Sequence, residues 1–140
     1  MTPAARIAAV IEILADMQAA SEAGTLLGRH AGQWLQAGLQ RRRYAGSGDR
    51  AAVGELFWKI QRGRARLGWH LASIDAQENP RNITIAALVL MEQKSAVLPQ
   101  LFSAEIAHAP APLNDSEAAL VATLETRNFI DLAMPEHTSL

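Results

Sequence analysis

The sequence predicts an all-helical domain, and three observations carry that expectation. Alanine and leucine dominate while valine, isoleucine and aromatic residues are sparse, a balance that favours helix over sheet. Apolar residues recur at three- and four-residue steps, the spacing of one helix face. Capping and stop signals punctuate those stretches at Thr2-Pro3, Ser47 to Asp49, Glu78-Asn79-Pro80 and Asn114-Asp115. With 140 residues, 49% of them hydrophobic, residues 1–140 can form one domain around its own core.

The first helix opens with Thr2 as N-cap and Pro3 at the first helical position. Ile7, Val10, Ile11, Leu14 and Met17 fall on one face, and Gly24 marks the break. A second helix is expected from about Thr25 to Leu39, with Leu26, Leu27, Trp34, Leu35 and Leu39 as apolar positions. Gly28, Gly32 and Gly38 weaken it by roughly 1 kcal/mol each relative to alanine. Residues 41–48 read as a connection, after which Ser47 or Asp49 caps a third helix. Asp49 also suits the positive end of the helix dipole. Val53, Leu56, Phe57 and Ile60 line one side of that helix, and Leu67, Leu71 and Ile74 continue the pattern. Gly63 offers a point of division into two helices. Pro80 disfavours helix in the residue before it, so 78–80 reads as a stop. Residues 83–91 are almost wholly apolar. Ile83, Thr84, Ile85 and Val89 suit a strand, but Ala86-Ala87-Leu88 and the helical surroundings favour a buried central helix. A short helix capped by Ser95 is expected through Phe102 to about Ile106. An extended linker follows at 108–113, and then a last helix capped by Asn114 or Asp115 with Leu120, Val121 and Leu124 inward. Beyond Asn128 the chain is expected to fray.

Several chemistries are excluded or unsupported. With no cysteine there is no disulfide, thiolate metal site or cysteine nucleophile, which fits a reducing cytoplasm. His30, His70, His108 and His137 show no zinc-ligand spacing, so no metal is expected. Only His70 lies near the basic residues described next. There is no apolar run of about 18 residues and no secretory leader pattern, so no membrane partner is expected. Gly46-Ser47-Gly48 lacks the lysine and the length of a phosphate-binding loop, and no cofactor site is expected. The acidic pairs Glu12/Asp16 and Asp75/Glu78 lie at helical spacing and read as solvated faces.

Charge is unevenly placed. Residues 41–66 carry Arg41, Arg42, Arg43, Arg50, Lys59, Arg62, Arg64 and Arg66 against Asp49 and Glu55, whereas the chain as a whole has a net charge of −1. Such asymmetry marks a candidate polyanion-binding face. Arg41, Arg42, Arg43, Lys59, Arg62, Arg64 and Arg66 are the candidate phosphate ligands, because guanidinium groups pair bidentately with phosphate. Tyr44 is a candidate for stacking on a base. A solvated charged surface is the competing reading. Trp34, Trp58 and Trp69 could stack on bases, although tryptophans on amphipathic helices are more often core.

The segment Arg43-Tyr44-Ala45-Gly46-Ser47-Gly48-Asp49-Arg50-Ala51-Ala52-Val53, with Arg62-Gly63-Arg64-Ala65-Arg66-Leu67 after it, resembles the N-terminal domain of the Sun/RsmB family of ribosomal RNA cytosine-C5 methyltransferases. The opening Thr2-Pro3-Ala4-Ala5-Arg6 and the later Ala109-Pro110-Ala111-Pro112-Leu113-Asn114-Asp115 are also similar, so the resemblance spans the chain. It implies an all-α, NusB-like bundle of about six to seven helices that docks ribosomal RNA. It also implies a separate C-terminal methyltransferase domain that binds S-adenosylmethionine and is absent from this chain. Ser47, Asp49 and Arg50 would belong to the family's structural motif. The alternatives are a protein-interaction module of the antitermination (NusB) type and a structural brace for a catalytic domain.

Overall fold

The computed structural model describes residues 1–25 and 28–132. The described residues form six α-helices and no strand, so the all-α expectation holds. They are α1 (Pro3–Glu22), α2 (Ala31–Gln40), α3 (Ser47–Ser73), α4 (Pro80–Leu90), α5 (Leu98–Leu101) and α6 (Asp115–Leu124). A 3₁₀ turn at Ser95–Val97 precedes α5, and another at Phe129–Leu132 follows α6.

Helix α4 is the centre of the bundle. Every residue from Ile83 to Leu90 is buried, and α1, α3 and α6 pack around it. A helix apolar on all sides has to be enclosed, which is why this stretch is helical and central rather than an amphipathic strand. Its one buried hydroxyl is satisfied internally, Thr84 Oγ1 donating to the Pro80 carbonyl at 2.8 Å. Pro80 starts this helix, and Asn79 caps it by accepting from the Asn82 N–H at 2.8 Å.

Helix α1 follows its sequence signals. Thr2 Oγ1 accepts from the Ala5 N–H at 3.0 Å. Ala4, Ala5, Ala8 and Ala9 are buried together with Ile7, Val10, Ile13 and Leu14, the small side chains allowing close approach to the centre. Asn114 caps α6 as expected, in a reciprocal pair with Glu117, and Leu120, Val121 and Leu124 are buried.

Four expectations need correction. Helix α2 begins at Ala31, not near Thr25. Gly28 takes a φ of +76°, a left-handed conformation that a helix cannot contain. The expectation for Leu26 and Leu27 lies outside the described residues. Gly63 does not divide α3, which runs unbroken for 27 residues, about 40 Å. Gly63 is instead a point of close approach: a Cβ there would stand 3.0 Å from the Phe129 ring and 3.2 Å from Met91 Cε. The Ser95 segment forms only a 3₁₀ turn and the four-residue α5, since Phe102 leaves helical geometry at ψ 91°. Beyond Asn128 the chain does not fray at once. Phe129–Leu132 turns back onto α3, where the Phe129 carbonyl accepts from His70 Nε2 at 3.0 Å. The part of that expectation beyond residue 132 lies outside the described residues.

Candidate nucleic-acid interface

Arg41, Arg42 and Arg43 follow the end of α2, where that helix lies against α1. A Cβ on Gly38 would overlap Ile13 Cγ1, so the two helices meet here with no room for a side chain. That proximity sets the fate of the arginines. Arg41 pairs with Asp16, and Arg42 pairs with Glu12. Arg42 is buried and also donates to the Gly38 carbonyl at 2.6 Å. The acidic pair read as a solvated face therefore holds the end of α2. Arg43 is exposed and makes no ion pair with a described residue. Tyr44 is 49% exposed and stacks on His108, the ring centroids 4.7 Å apart and the planes 20° apart.

Helix α3 begins at Ser47 with Gly46 as N-cap, and Asp49 supplies the capping oxygen from inside the first turn. Its carboxylate accepts from the Gly46 N–H at 2.9 Å, from Arg6 Nε at 2.9 Å and from the Met1 ammonium at 3.1 Å. The Gly46 backbone bond, then Arg6, then the ammonium hold its pKa down to about 2. Asp49 is thus a structural tie between the start of α1 and the start of α3. Ser47 is exposed at the first helical position. Arg50, placed in the structural motif by the resemblance, pairs with no described carboxylate. Its Nε makes one long contact, 3.4 Å, to the Ala45 carbonyl.

Helical geometry sorts the remaining cations. At about 100° per residue, Lys59, Arg62 and Arg66 share one side of α3 and Arg64 faces away from them. Lys59 pairs with Glu92, which Lys94 also approaches at 3.7 Å. Arg64 Nε pairs with Glu78 Oε2 at 3.2 Å, so the second acidic pair is also partly engaged. Arg62 is exposed and has no described ion-pair partner. The Arg66 guanidinium lies 5.7 Å from the centroid of the Phe129 ring, and its Nη1 is buried with no acceptor among the described residues. Trp58 and Trp69 lie one turn before Arg62 and two turns after it, Trp58 being 38% exposed and Trp69 half-buried. Trp34 is also half-buried, with the Arg29 guanidinium 5.0 Å above its ring.

The fold thus separates the candidates. Arg41, Arg42, Lys59 and Arg64 are held by carboxylates remote in sequence, whereas Arg43, Arg62 and Arg66 form no ion pair with a described residue. Sequence reasoning missed Phe129, which joins Arg62, Arg66 and Trp69 around one open pocket. A lone aromatic after Asn128 was the available signal. It also missed the bidentate pair of Arg81 with Glu117, at 2.7 and 2.8 Å. The Arg81 hydrogen bonds lower the Glu117 pKa against the opposing effect of burial. That pair ties α4 to α6 and is structural. His70 is fully buried, and the same applies to it: Nε2 serves the Phe129 carbonyl and Nδ1 lies 3.3 Å from Arg127 Nη1.

No protein-family model, curated protein or solved structure matches the chain. Among the described residues no three histidine, aspartate or glutamate side chains gather as metal ligands, and no helix is long and apolar enough to cross a membrane.

Proposed function

We propose that this chain is an RNA-docking accessory domain, NusB-like in fold, that serves a ribosomal RNA cytosine-C5 methyltransferase of the Sun/RsmB type. The observation that carries the reading is the outward face of α3, where Arg62, without an ion-pair partner among the described residues, stands between Trp58 and Trp69 with Arg66 alongside. Guanidinium groups free of carboxylates can take phosphates, and aromatic faces beside them can take unpaired bases. Arg43 and the Tyr44–His108 stack add a second exposed cation-and-ring pair at the end of α2. The motif resemblance over 43–67 supplies the ribosomal substrate, and the lack of cysteine fits a cytoplasmic setting. Catalysis and S-adenosylmethionine binding belong to a further domain, and this chain supplies binding alone.

The test is a titration of the purified chain with single-stranded ribosomal RNA fragments at several salt concentrations. Three phosphate contacts, from Arg43, Arg62 and Arg66, give an expected log–log slope of about −2, at roughly −0.7 per phosphate. Absence of binding at low salt would reject the reading. The chain alone should transfer no labelled methyl group from S-adenosylmethionine to RNA. One feature favours a second reading, the antitermination-type interaction module. Ala51, Ala65 and Ala72 are exposed on the same side of α3 as the two tryptophans, a smooth strip that suits a partner helix. A reading frame that continues into a methyltransferase domain with paired cysteines favours the first reading over this one.

A further inference from the structure

The pocket on the outer side of α3 combines flat apolar walls with two guanidinium groups. It is open, encloses ≈ 400 Å³, and is lined by Arg62, Gly63, Ala65, Arg66, Trp69 and Phe129. That volume falls within the range of roughly 300–1,000 Å³ usual for small-ligand sites. The small residues Gly63 and Ala65 leave the space between the larger side chains. Gly63 in particular lets the Phe129 ring close on the helix, since any Cβ there would press on it at 3.0 Å.

The walls are fixed in advance. His70, fully buried beneath them, meets the Trp69 ring edge to face at 5.1 Å and stacks with Phe129 at 6.3 Å. It also holds the Phe129 backbone through the 3.0 Å bond to its carbonyl. Arg127 braces the same corner, donating to Ser73 Oγ at 2.7 Å. Walls held by such contacts do not have to be ordered when a ligand arrives.

The cations define what else the ligand must carry. Arg66 Nη1 is a buried donor with no acceptor among the described residues, a situation that native proteins seldom leave unanswered. Arg62 stands exposed beside it without an ion-pair partner among the described residues. A fitting ligand therefore has one flat ring for Trp69 and Phe129 and one anionic group for the two arginines. A nucleotide carries both, the base stacking on aromatic faces and the phosphate taking the guanidinium forks.

We propose that this pocket binds one nucleoside monophosphate unit, with its base against Trp69 and Phe129 and its phosphate on Arg62 and Arg66. The unit comes either from an unpaired position in an RNA strand, in which case the inference rests on the docking function proposed above, or from a free mononucleotide.

The test reads Trp69 emission in the full chain carrying Trp34→Phe and Trp58→Phe, titrated with adenosine 5′-monophosphate and with hexa-adenylate RNA. Retention of the RNA on filters is measured in parallel on the unaltered chain. Saturable quenching by both ligands is expected. Arg66→Gln should weaken it at least tenfold, and Ala65→Phe should abolish it by filling the pocket from an exposed helix position. Circular dichroism of each variant guards against unfolding. RNA retained without quenching, and equally by Ala65→Phe, would overturn the pocket and leave RNA docking standing. Quenching by the mononucleotide without RNA retention would uphold the pocket and remove RNA docking. No response to either ligand would overturn both.

Discussion

The two ends of the basic segment are built from the same residue type and meet opposite fates. At the end of α2, Arg41 and Arg42 are drawn into carboxylates of α1, and Arg42 is buried there. Along the middle of α3, Arg62 and Arg66 face outward or against an aromatic ring, and neither forms an ion pair with a described carboxylate. The difference lies in what each helix packs against. Helix α1 presents Glu12 and Asp16 one turn apart to the end of α2, whereas the pocket side of α3 carries Trp69 and faces Phe129. Charge density along a sequence therefore measures neither how much charge a partner can use nor where.

The largest expected effect tests the packing that locks the α2 end. Gly38→Val forces a side chain into Ile13 and should cost about 3 kcal/mol, the upper part of the overpacking range. The melting temperature should fall by about 10 °C. A change of less than about 2 °C would mean that α1 and α2 are not in close contact. Arg42→Ala comes next. It removes charge-assisted bonds to Glu12 and to the Gly38 carbonyl, so denaturant melts should show a loss of about 2 kcal/mol. RNA affinity of the folded variant should stay within twofold of wild type.

A third prediction concerns the start of α3, between the two ends. The Asp49 carboxylate titrates at about 2, below its ordinary 3.8. The folded state therefore binds this proton less readily than the unfolded state. Its contribution is full above the unfolded value and is lost as pH falls from about 4 toward 2. Melts across that window should show a steeper acid slope for wild type than for Asp49→Asn. Equal slopes would remove Asp49 from the tie between α1 and α3. The smallest stability effect belongs to Arg62→Ala, within about 0.5 kcal/mol because the side chain is exposed.

What the sequence revealed was local. Thr2 with Pro3, and Asn114 with Glu117, announce helix starts because a cap bonds to atoms three residues away. The almost wholly apolar run at 83–90 announces a buried helix because it offers no polar face to solvent. The misreadings came from partners remote in sequence. Gly63 reads as a helix breaker until Phe129 and Met91 are seen against it, and Gly38 as a weakness until Ile13 is. The ion pair of Arg42 with Glu12 spans 30 residues and that of Lys59 with Glu92 spans 33, so neither spacing is visible along the chain. The basic segment was legible as a set of charges. Which of them remain free depends on tertiary packing.

The most direct measurement compares salt-dependent RNA binding by two double variants. Arg43→Ala with Arg62→Ala removes two cations without an ion-pair partner among the described residues, whereas Arg41→Ala with Arg64→Ala removes two already engaged by Asp16 and Glu78. The first pair should lose affinity at least tenfold. Its salt slope should be shallower by about 1.4, two phosphates at roughly 0.7 each. The second pair should bind single-stranded ribosomal RNA within threefold of wild type, with an unchanged slope. Equal losses from both variants, or a larger loss from the second, would contradict the claim that the unpaired arginines carry the docking.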